Sequence, residues 1–125
     1  MSVVVVFNDM LRRLQSELWG KISSSDPLTG LKSWHRLLSP VGTVDTRMPK
    51  EKTACAVMCD IDHFKIVNDT HGHQTGDKVL RQIGACLQKG VRPHDLVYRY
   101  GGEEFLIYLA GATLDEANMI CDRLR

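Results

Sequence analysis

The chain has 125 residues and a formal net charge of only +1, so no general attraction to nucleic acid or to an anionic membrane is expected. With 43% hydrophobic and 25% charged residues, its composition is typical of one globular domain at most. The apolar run over 3–7 is too short to span a bilayer and lacks the features of a signal peptide. The four cysteines form no C-x-x-C pair and lie in apolar runs, which predicts buried thiols in a reducing cytoplasm.

The first 25 residues are predicted to form a helix and a linker. Apolar residues recur there at intervals of four, three and four: Phe7, Leu11, Leu14 and Leu18. This spacing is typical of an amphipathic helix, which we expect over 1–22. The helix could pack on the domain or act as a dimerising stalk, and both interpretations stay open. After a break at 23–27, a second short helix is predicted over about 28–38.

The middle of the chain predicts one buried strand and two helices. The continuous apolar run over 54–59 is typical of a strand covered on both faces, and it ends at Asp60. A short helix is expected over 64–68. A longer helix follows over 75–89, because its apolar positions recur at helical spacing, and Gly90 is expected at its C′ position.

Two β-prone runs, 96–100 and 105–109, flank the glycine pair 101–102. They predict a β-hairpin with a tight turn, in which glycine supplies the positive φ. Thr113 and Glu116 then predict a capping box that opens a last helix. The element order indicates an α/β fold that one more strand would complete. We therefore expect the domain to be incomplete at its C-terminal end.

Carboxylates stand at the ends of two predicted central strands: Asp60 ends one, and Glu103 and Glu104 begin another. If the strands are neighbours, these groups meet at one edge of the sheet. Oxygen ligands suit Mg²⁺, which takes one or two protein carboxylates and completes its shell with phosphate and water. Such a site could activate a hydroxyl for phosphoryl transfer; a solvated acidic turn is the alternative. No P-loop motif is present, which excludes a P-loop NTPase.

Four motifs carry a family resemblance. They are Asp26-Pro27-Leu28-Thr29-Gly30-Leu31, Asp60-Ile61-Asp62-His63-Phe64-Lys65-x-x-Asn68-Asp69, Gly72-His73-x-x-Gly76-Asp77 and Arg99-Tyr100-Gly101-Gly102-Glu103-Glu104-Phe105. In order and spacing the chain resembles the GGDEF-domain diguanylate cyclases over 26–125. The resemblance implies an α/β (α+β) fold related to polymerase palm and class III nucleotide cyclase domains. Helices would cover a central sheet that contains antiparallel strands.

The resemblance also implies an activity in bacterial signalling. Two GTP molecules would condense to cyclic di-GMP with release of two pyrophosphates. The cofactor would be Mg²⁺, with Mn²⁺ as a substitute. The enzyme would be a homodimer, because each site holds one GTP and two sites must face each other.

By position, the resemblance assigns the catalytic and metal-binding roles. Asp60 and Glu103 would hold the metal by carboxylate, and Ile61 by its backbone carbonyl. Glu103 would also activate the 3′-hydroxyl, with Glu104 as the accompanying carboxylate. Lys65 would offset the charge that grows on the phosphates in the transition state.

The resemblance assigns four further residues to substrate binding. Asn68 and Asp77 would read guanine, and a carboxylate suits this task because it accepts from the N1–H and N2–H₂ donors that adenine lacks. His73 would lie beside the substrate, and Phe64 would present its backbone N–H to phosphate.

Arg92 and Asp95 match the family's R-x-x-D inhibitory site, which would bind the product cyclic di-GMP. Arginine suits this role because its planar fork can bind phosphate and stack on guanine. The alternative is an exposed ion pair in a loop.

The chain departs from the family pattern at three places. Ser33-Trp34 stands where Asn-Arg is usual, and Glu103 stands where Asp is common. The family's last strand and the basic residues beyond it have no counterpart, so we expect impaired GTP binding and an exposed sheet edge that self-associates. The alternative function is an inactive module that binds cyclic di-GMP, or a signalling partner through its first helix.

Overall fold

A computed structural model of the chain describes residues 2–7, 25–33 and 54–125. In chain order its elements are β1 (Ser2–Phe7), β2 (Lys32–Ser33), β3 (Ala54–Asp60), α1 (Phe64–His71), α2 (His73–Gly90), β4 (Leu96–Arg99), β5 (Glu104–Ala110) and α3 (Leu114–Leu124). From residue 54 onward, this order confirms the predicted succession of strand, two helices, hairpin and helix. Within the described residues, no helix has the length and the apolar character needed to cross a membrane.

The five strands form one mixed sheet in the order β1-β3-β5-β4-β2. The pairs β1–β3, β3–β5 and β4–β5 are antiparallel, and β2 runs parallel to β4. The predicted neighbourhood of β3 and β5 is therefore confirmed. Their register pairs Ala54 with Ala110 at one end of the sheet and Asp60 with Glu104 at the other.

Residues of the central strands alternate between two apolar clusters, as the two-residue period of a strand requires. Val57, Ile107 and Leu109 point to the cluster that also contains the buried residues of α2 and α3. Leu106 and Tyr98 belong to the second cluster, so β5 is buried on both of its faces. This burial holds the central strands, and the polar residues at their ends, in one fixed register.

Three of the four cysteines are buried in this core, as predicted: Cys55, Cys59 and Cys121. Burial, with a smaller contribution from the neighbouring Cys121, raises the pKa of the Cys59 thiol to about 12. The prediction is wrong for Cys86, which is exposed on α2.

The predicted N-terminal helix is wrong at Ser2–Phe7, which forms β1 and pairs antiparallel with β3. Four of these six residues are valine. Valine is stiff at χ1 and favours strands over helices, and this preference outweighs a helical spacing that begins only at Phe7. The remainder of the prediction, 8–22, lies outside the described residues.

The second predicted helix, over about 28–38, is wrong as far as residue 33. Asp26 accepts hydrogen bonds from the Thr29 backbone N at 2.7 Å and from Thr29 Oγ1 at 2.6 Å. These bonds favour a turn over a helix, and Gly30 then takes a positive φ of 71°. The chain continues directly into β2 (Lys32–Ser33). Residues 34–38 lie outside the described part of the chain.

The predicted hairpin is confirmed, but its turn differs from the prediction. Four residues separate β4 from β5, and in the described chain positive φ occurs only at Gly30, Gly72, Gly111 and His63. The glycine pair 101–102 therefore does not supply the left-handed conformation of a two-residue turn. The N–H groups of Tyr100 and Gly101 both donate to the Glu104 carbonyl, at 2.9 and 3.2 Å, and this closes the wider loop.

The helix ends were predicted with mixed success. The capping box of α3 is confirmed: Glu116 N donates to Thr113 Oγ1 at 3.2 Å, and Thr113 N donates to Glu116 Oε2 at 2.9 Å. Gly90 is the last residue of α2 and Val91 is its C-cap, so the expected C′ position of Gly90 is wrong: Gly90 lies two residues before C′.

Candidate functional site

A cleft of about 470 Å³ lies between the first two helices and the loop that joins β4 to β5. It is lined by Phe64, Lys65, Asn68, His73, Asp77, Leu80, Arg99, Gly102, Glu103 and Glu104. Nine of these ten belong to the motifs that carry the family resemblance, and Leu80 is the exception. The cleft thus collects residues from three separate segments of the chain.

Carboxylates meet at the edge of the sheet beside this cleft. Asp60 and Glu104 are direct cross-strand partners, and such partners project from the same face with their Cβ atoms about 4.5–5.5 Å apart. The Ile61 N–H donates to the Glu103 carbonyl at 3.2 Å, which ties the Glu103 loop to the end of β3. The structure therefore places all four residues of the predicted metal site at one end of β3 and β5.

The residues at this edge fit a hydrated Mg²⁺ ion. Asp60 Oδ1 is buried and has no hydrogen-bond partner in the described structure, and a buried oxygen of this kind is costly unless a cation or a donor completes it. Across 2–7, 25–33 and 54–125, no three His, Cys, Asp or Glu side chains form a group that could hold a metal. A site with few protein ligands is what Mg²⁺ uses when phosphate and water supply the others.

A second buried oxygen without a partner belongs to Asn68 on α1. Gly72, at a φ of 86°, ends α1 and precedes α2, and its N–H donates to the Asn68 carbonyl at 2.8 Å. This sharp reversal packs α1 against the start of α2 and brings Asn68 and Asp77 to the same cleft. Two acceptor side chains on adjacent helices can receive donors from one planar base.

The N-terminus of α1 lies beside the cleft and can attract an anion. Its N-cap residue, His63, takes a left-handed conformation at φ 57° and makes no side-chain cap hydrogen bond. The first N–H groups of a helix lack partners within the helix and attract negative charge. Phe64 begins this helix, and the exposed Lys65 follows it along the cleft.

Comparison with known proteins identifies the family of this site. Residues 23–125 match the family model described as diguanylate cyclase, GGDEF domain. The chain belongs to the GGDEF-domain diguanylate cyclase family. It is 36% identical over 104 residues to the probable diguanylate cyclase DgcT of Escherichia coli, covering 83% of this chain and 23% of DgcT. The chain therefore spans about a quarter of that relative's length.

Solved structures of this family share the fold. Diguanylate cyclase SiaD of Pseudomonas aeruginosa, in complex with its activator SiaC, is 39% identical with a TM-score of 0.69, over 94% of this chain and 45% of that one. The GGDEF domain of DgcB from Caulobacter crescentus, in complex with c-di-GMP, is 31% identical with a TM-score of 0.66, over 85% and 63%. The predicted fold class is confirmed.

Arg99 is the residue of this GGDEF domain whose role the sequence did not indicate. Its Nε donates to the Gly101 carbonyl at 3.0 Å and its Nη2 to the Gly102 carbonyl at 2.9 Å. Its Nη1 donates to both carboxylate oxygens of Asp26, at 3.0 and 3.1 Å. Arg99 therefore joins the loop that carries Glu103 to the turn that contains Asp26.

The pKa of the Asp26 carboxyl reflects this contact. Burial alone would raise the pKa, but the hydrogen bonds from Thr29 and Arg99, together with the charge of Arg99, outweigh burial and lower it. The Asp-x-x-Thr spacing of Asp26 and Thr29 could have predicted the turn. No local pattern could have paired Asp26 with Arg99, because 73 residues separate them.

Arg92 and Asp95 lie away from the cleft and form an ion pair. Arg92 Nε and Nη2 donate to the two Asp95 carboxylate oxygens at 2.8 Å each, and the Arg92 backbone N donates to Oδ2 at 2.9 Å. Arg92 Nη2 also donates to the Ala110 carbonyl at 2.9 Å. The Asp95 side chain is fully buried, whereas 31% of the Arg92 side chain is exposed. The pair is thus mostly buried, and it ties its loop to the end of β5.

Proposed function

We propose that this chain is the catalytic domain of a diguanylate cyclase, which converts two GTP molecules into one cyclic di-GMP and two pyrophosphates. One observation carries the proposal: two buried acceptor oxygens, Asp60 Oδ1 and Asn68 Oδ1, have no partner in the described structure. We assign the Asp60 oxygen to a bound cation and the Asn68 oxygen to a hydrogen-bond donor of the base. A nucleoside triphosphate with its metal ion supplies both.

In the proposed reaction, the 3′-oxygen of each GTP forms a bond to the α-phosphorus of the other, and each of these two bonds replaces a bond from that phosphorus to pyrophosphate, so that the ring closes and two pyrophosphates leave. Glu103, which lines the cleft, accepts the proton of the 3′-hydroxyl. Mg²⁺, or Mn²⁺ in its place, would be held by the Asp60 and Glu103 carboxylates and the Ile61 carbonyl beside Glu104, and when bound would neutralise phosphate charge.

The phosphates are proposed to lie at the start of α1. The backbone N–H groups there, including that of Phe64, can donate to phosphate oxygens. The ammonium group of Lys65 stabilises the negative charge that develops in the transition state. His73, exposed at the start of α2, lines the cleft on the side of the substrate.

Guanine is proposed to bind between α1 and α2. The Asn68 and Asp77 side chains offer acceptor oxygens, and guanine carries N1–H and N2–H₂ donors where adenine has neither. A site built from acceptors disfavours adenine, because the acceptors would stay unpaired in a buried place.

The reaction requires two bound GTP molecules, and one cleft holds one of them. We therefore propose that the active form is a homodimer in which two clefts face each other. We also propose that Arg92 and Asp95 bind cyclic di-GMP as an inhibitory site. The exposed part of the Arg92 side chain supports this role, with Asp95 holding the guanidinium in place.

Product analysis tests the proposed activity. The protein is incubated with GTP and Mg²⁺ at a concentration high enough for dimers, and the nucleotides are separated by chromatography. We expect cyclic di-GMP from the natural sequence and none above background from Glu103→Gln, which keeps the shape of the side chain but cannot take up the proton. Equal synthesis by both proteins would overturn the assigned mechanism. Cyclic di-GMP binding without synthesis would favour a receptor module instead.

A further inference from the structure

Gly76 lies buried in α2, one residue before Asp77. Its backbone is helical and its φ is not positive, so its conformation does not require glycine. Alanine would be the better helix former at such a position. The reason for glycine must therefore be the space around it.

The space beside Gly76 is filled by the Asn68 amide. A Cβ atom at position 76 would overlap Asn68 Oδ1 and would lie 2.9 Å from Asn68 Cγ and 3.2 Å from Phe64 Cζ. The atom in conflict is the tip of a side chain that can rotate, so a methyl group there would displace the amide and leave the helices in place. The buried, unpartnered position of Asn68 Oδ1 thus depends on the missing side chain of Gly76.

We propose that Gly76 is a positioning residue for base specificity, which holds the Asn68 carbonyl oxygen beside Asp77 so that both accept from guanine. The inference rests on the proposed function, because it assumes that the cleft binds GTP. It adds that the preference for guanine depends on a residue that touches no substrate. Gly76 acts through Asn68 and supplies no chemical group of its own.

A comparison of GTP with ITP tests this role, because hypoxanthine lacks only the 2-amino group of guanine. Both nucleotides are titrated with Mg²⁺ into the 125-residue chain by calorimetry. A lost hydrogen bond to a buried acceptor weakens binding by roughly tenfold. In the proposed arrangement Asn68 Oδ1 accepts from the 2-amino group and Asp77 accepts from N1–H. We therefore expect the natural sequence to favour GTP by about this factor and Gly76→Ala to lose most of that preference, with ITP binding little changed.

Gly84→Ala is the matched control on the same helix. A Cβ at position 84 would approach Leu31 Cδ1 at 3.2 Å and Thr29 Cβ at 3.5 Å, which is a tight contact without overlap and lies outside the cleft. We expect this variant to keep the preference for GTP. A loss of preference in Gly84→Ala as large as in Gly76→Ala would show a general effect of packing and overturn the inference.

The double variant shows whether Gly76 acts through Asn68. In an Asn68→Ala background the methyl group at position 76 no longer meets an amide, so Gly76→Ala should cause no further loss. If Gly76→Ala alone does not fold, recovery of the fold in the double variant supports the steric conflict between position 76 and the Asn68 amide. If neither variant folds, that conflict is contradicted as the cause. A natural sequence that does not bind GTP overturns the proposed function. If the natural sequence and Gly76→Ala prefer GTP over ITP to the same extent, this inference alone is overturned.

Discussion

Two aspartates of this domain have buried carboxylate oxygens, but only one of them has hydrogen-bond partners for those oxygens. Asp95 is fully buried and receives three hydrogen bonds from Arg92, one from its backbone and two from its guanidinium. Asp60, at the end of a central strand, has a buried oxygen with no partner in the described structure. A satisfied buried charge stabilises the fold around it, whereas an unsatisfied one indicates a ligand. The comparison predicts that substitutions at the two sites separate activity from stability.

Asp60→Asn is expected to have the largest effect, and on activity alone. The amide keeps the shape of the side chain but loses the charge that would hold the metal, so we expect a loss in turnover of roughly 100-fold or more. The free energy of unfolding should stay the same or rise, because an unpaired charge is costly where it is buried. Turnover assays and urea unfolding measure the two effects. A variant that keeps its turnover would contradict the assignment of Asp60 to the metal site. A variant that unfolds at a lower urea concentration would contradict the expected stability.

Arg92→Ala should instead lower the stability of the domain. It leaves the buried Asp95 carboxylate without its guanidinium partner, and loss of a partner from a fully buried ion pair costs about 3–5 kcal/mol. Because Arg92 is partly exposed, we expect about 2–3 kcal/mol less stability towards urea. Arg81→Ala, an exposed arginine on α2, is the control and should change stability by less than about 0.5 kcal/mol. Similar stability of the two variants would contradict a structural role for the pair.

Asp26→Asn should destabilise the domain by about 1–2 kcal/mol at neutral pH, because its hydrogen bonds to Arg99 lose their charge. The folded-state pKa of Asp26 is lowered, so its contribution is complete above the unfolded-state value of about 3.9 and is lost as the pH falls through the folded-state pKa. The stability difference between natural sequence and variant should therefore shrink below about pH 4. Unfolding curves from pH 3 to pH 7 would show this, and a difference that is constant with pH would speak against the ion pair.

Thr113→Ala affects neither of the two aspartates and should have the smallest effect. It removes the hydroxyl that caps α3, and loss of such a cap costs typically about 1 kcal/mol. Thr70→Ala, within α1 and exposed, should instead be neutral or slightly stabilising, because alanine is the better helix former. Thermal unfolding of both variants measures the difference. Equal melting temperatures would show that the capping box contributes little.

The sequence predicted elements well where one local signal dominated. The apolar run that became β3, the hairpin of β4 and β5, and the capping box at Thr113 each carry such a signal. Prediction was wrong where two signals competed. At Ser2–Phe7 a helical spacing competed with a run of valines, and pairing with β3 stabilises the strand. After Asp26 the hydrogen bonds to Thr29 favour a turn over the expected helix.

The residues of the candidate site could be predicted from the sequence, but the contacts between them could not. Motif spacing indicated the carboxylates of β3 and the hairpin loop, and the sheet register then brings Asp60 opposite Glu104. The contact of Arg99 with Asp26 and the close fit of Gly76 against Asn68 depend on tertiary packing. No periodicity or local composition reports such contacts, so only the structure could reveal them.

The central claim is that bound substrate and its metal ion complete two unpartnered oxygens, that of Asn68 in the cleft and that of Asp60 beside it. A crystal structure of the protein with Mg²⁺ and 3′-deoxy-GTP, which lacks the attacking hydroxyl, tests it most directly. We predict that Asp60 Oδ1 contacts the metal ion and that Asn68 Oδ1 accepts a hydrogen bond from guanine. A nucleotide bound elsewhere, or bound in the cleft with both oxygens still unpartnered, would contradict the account.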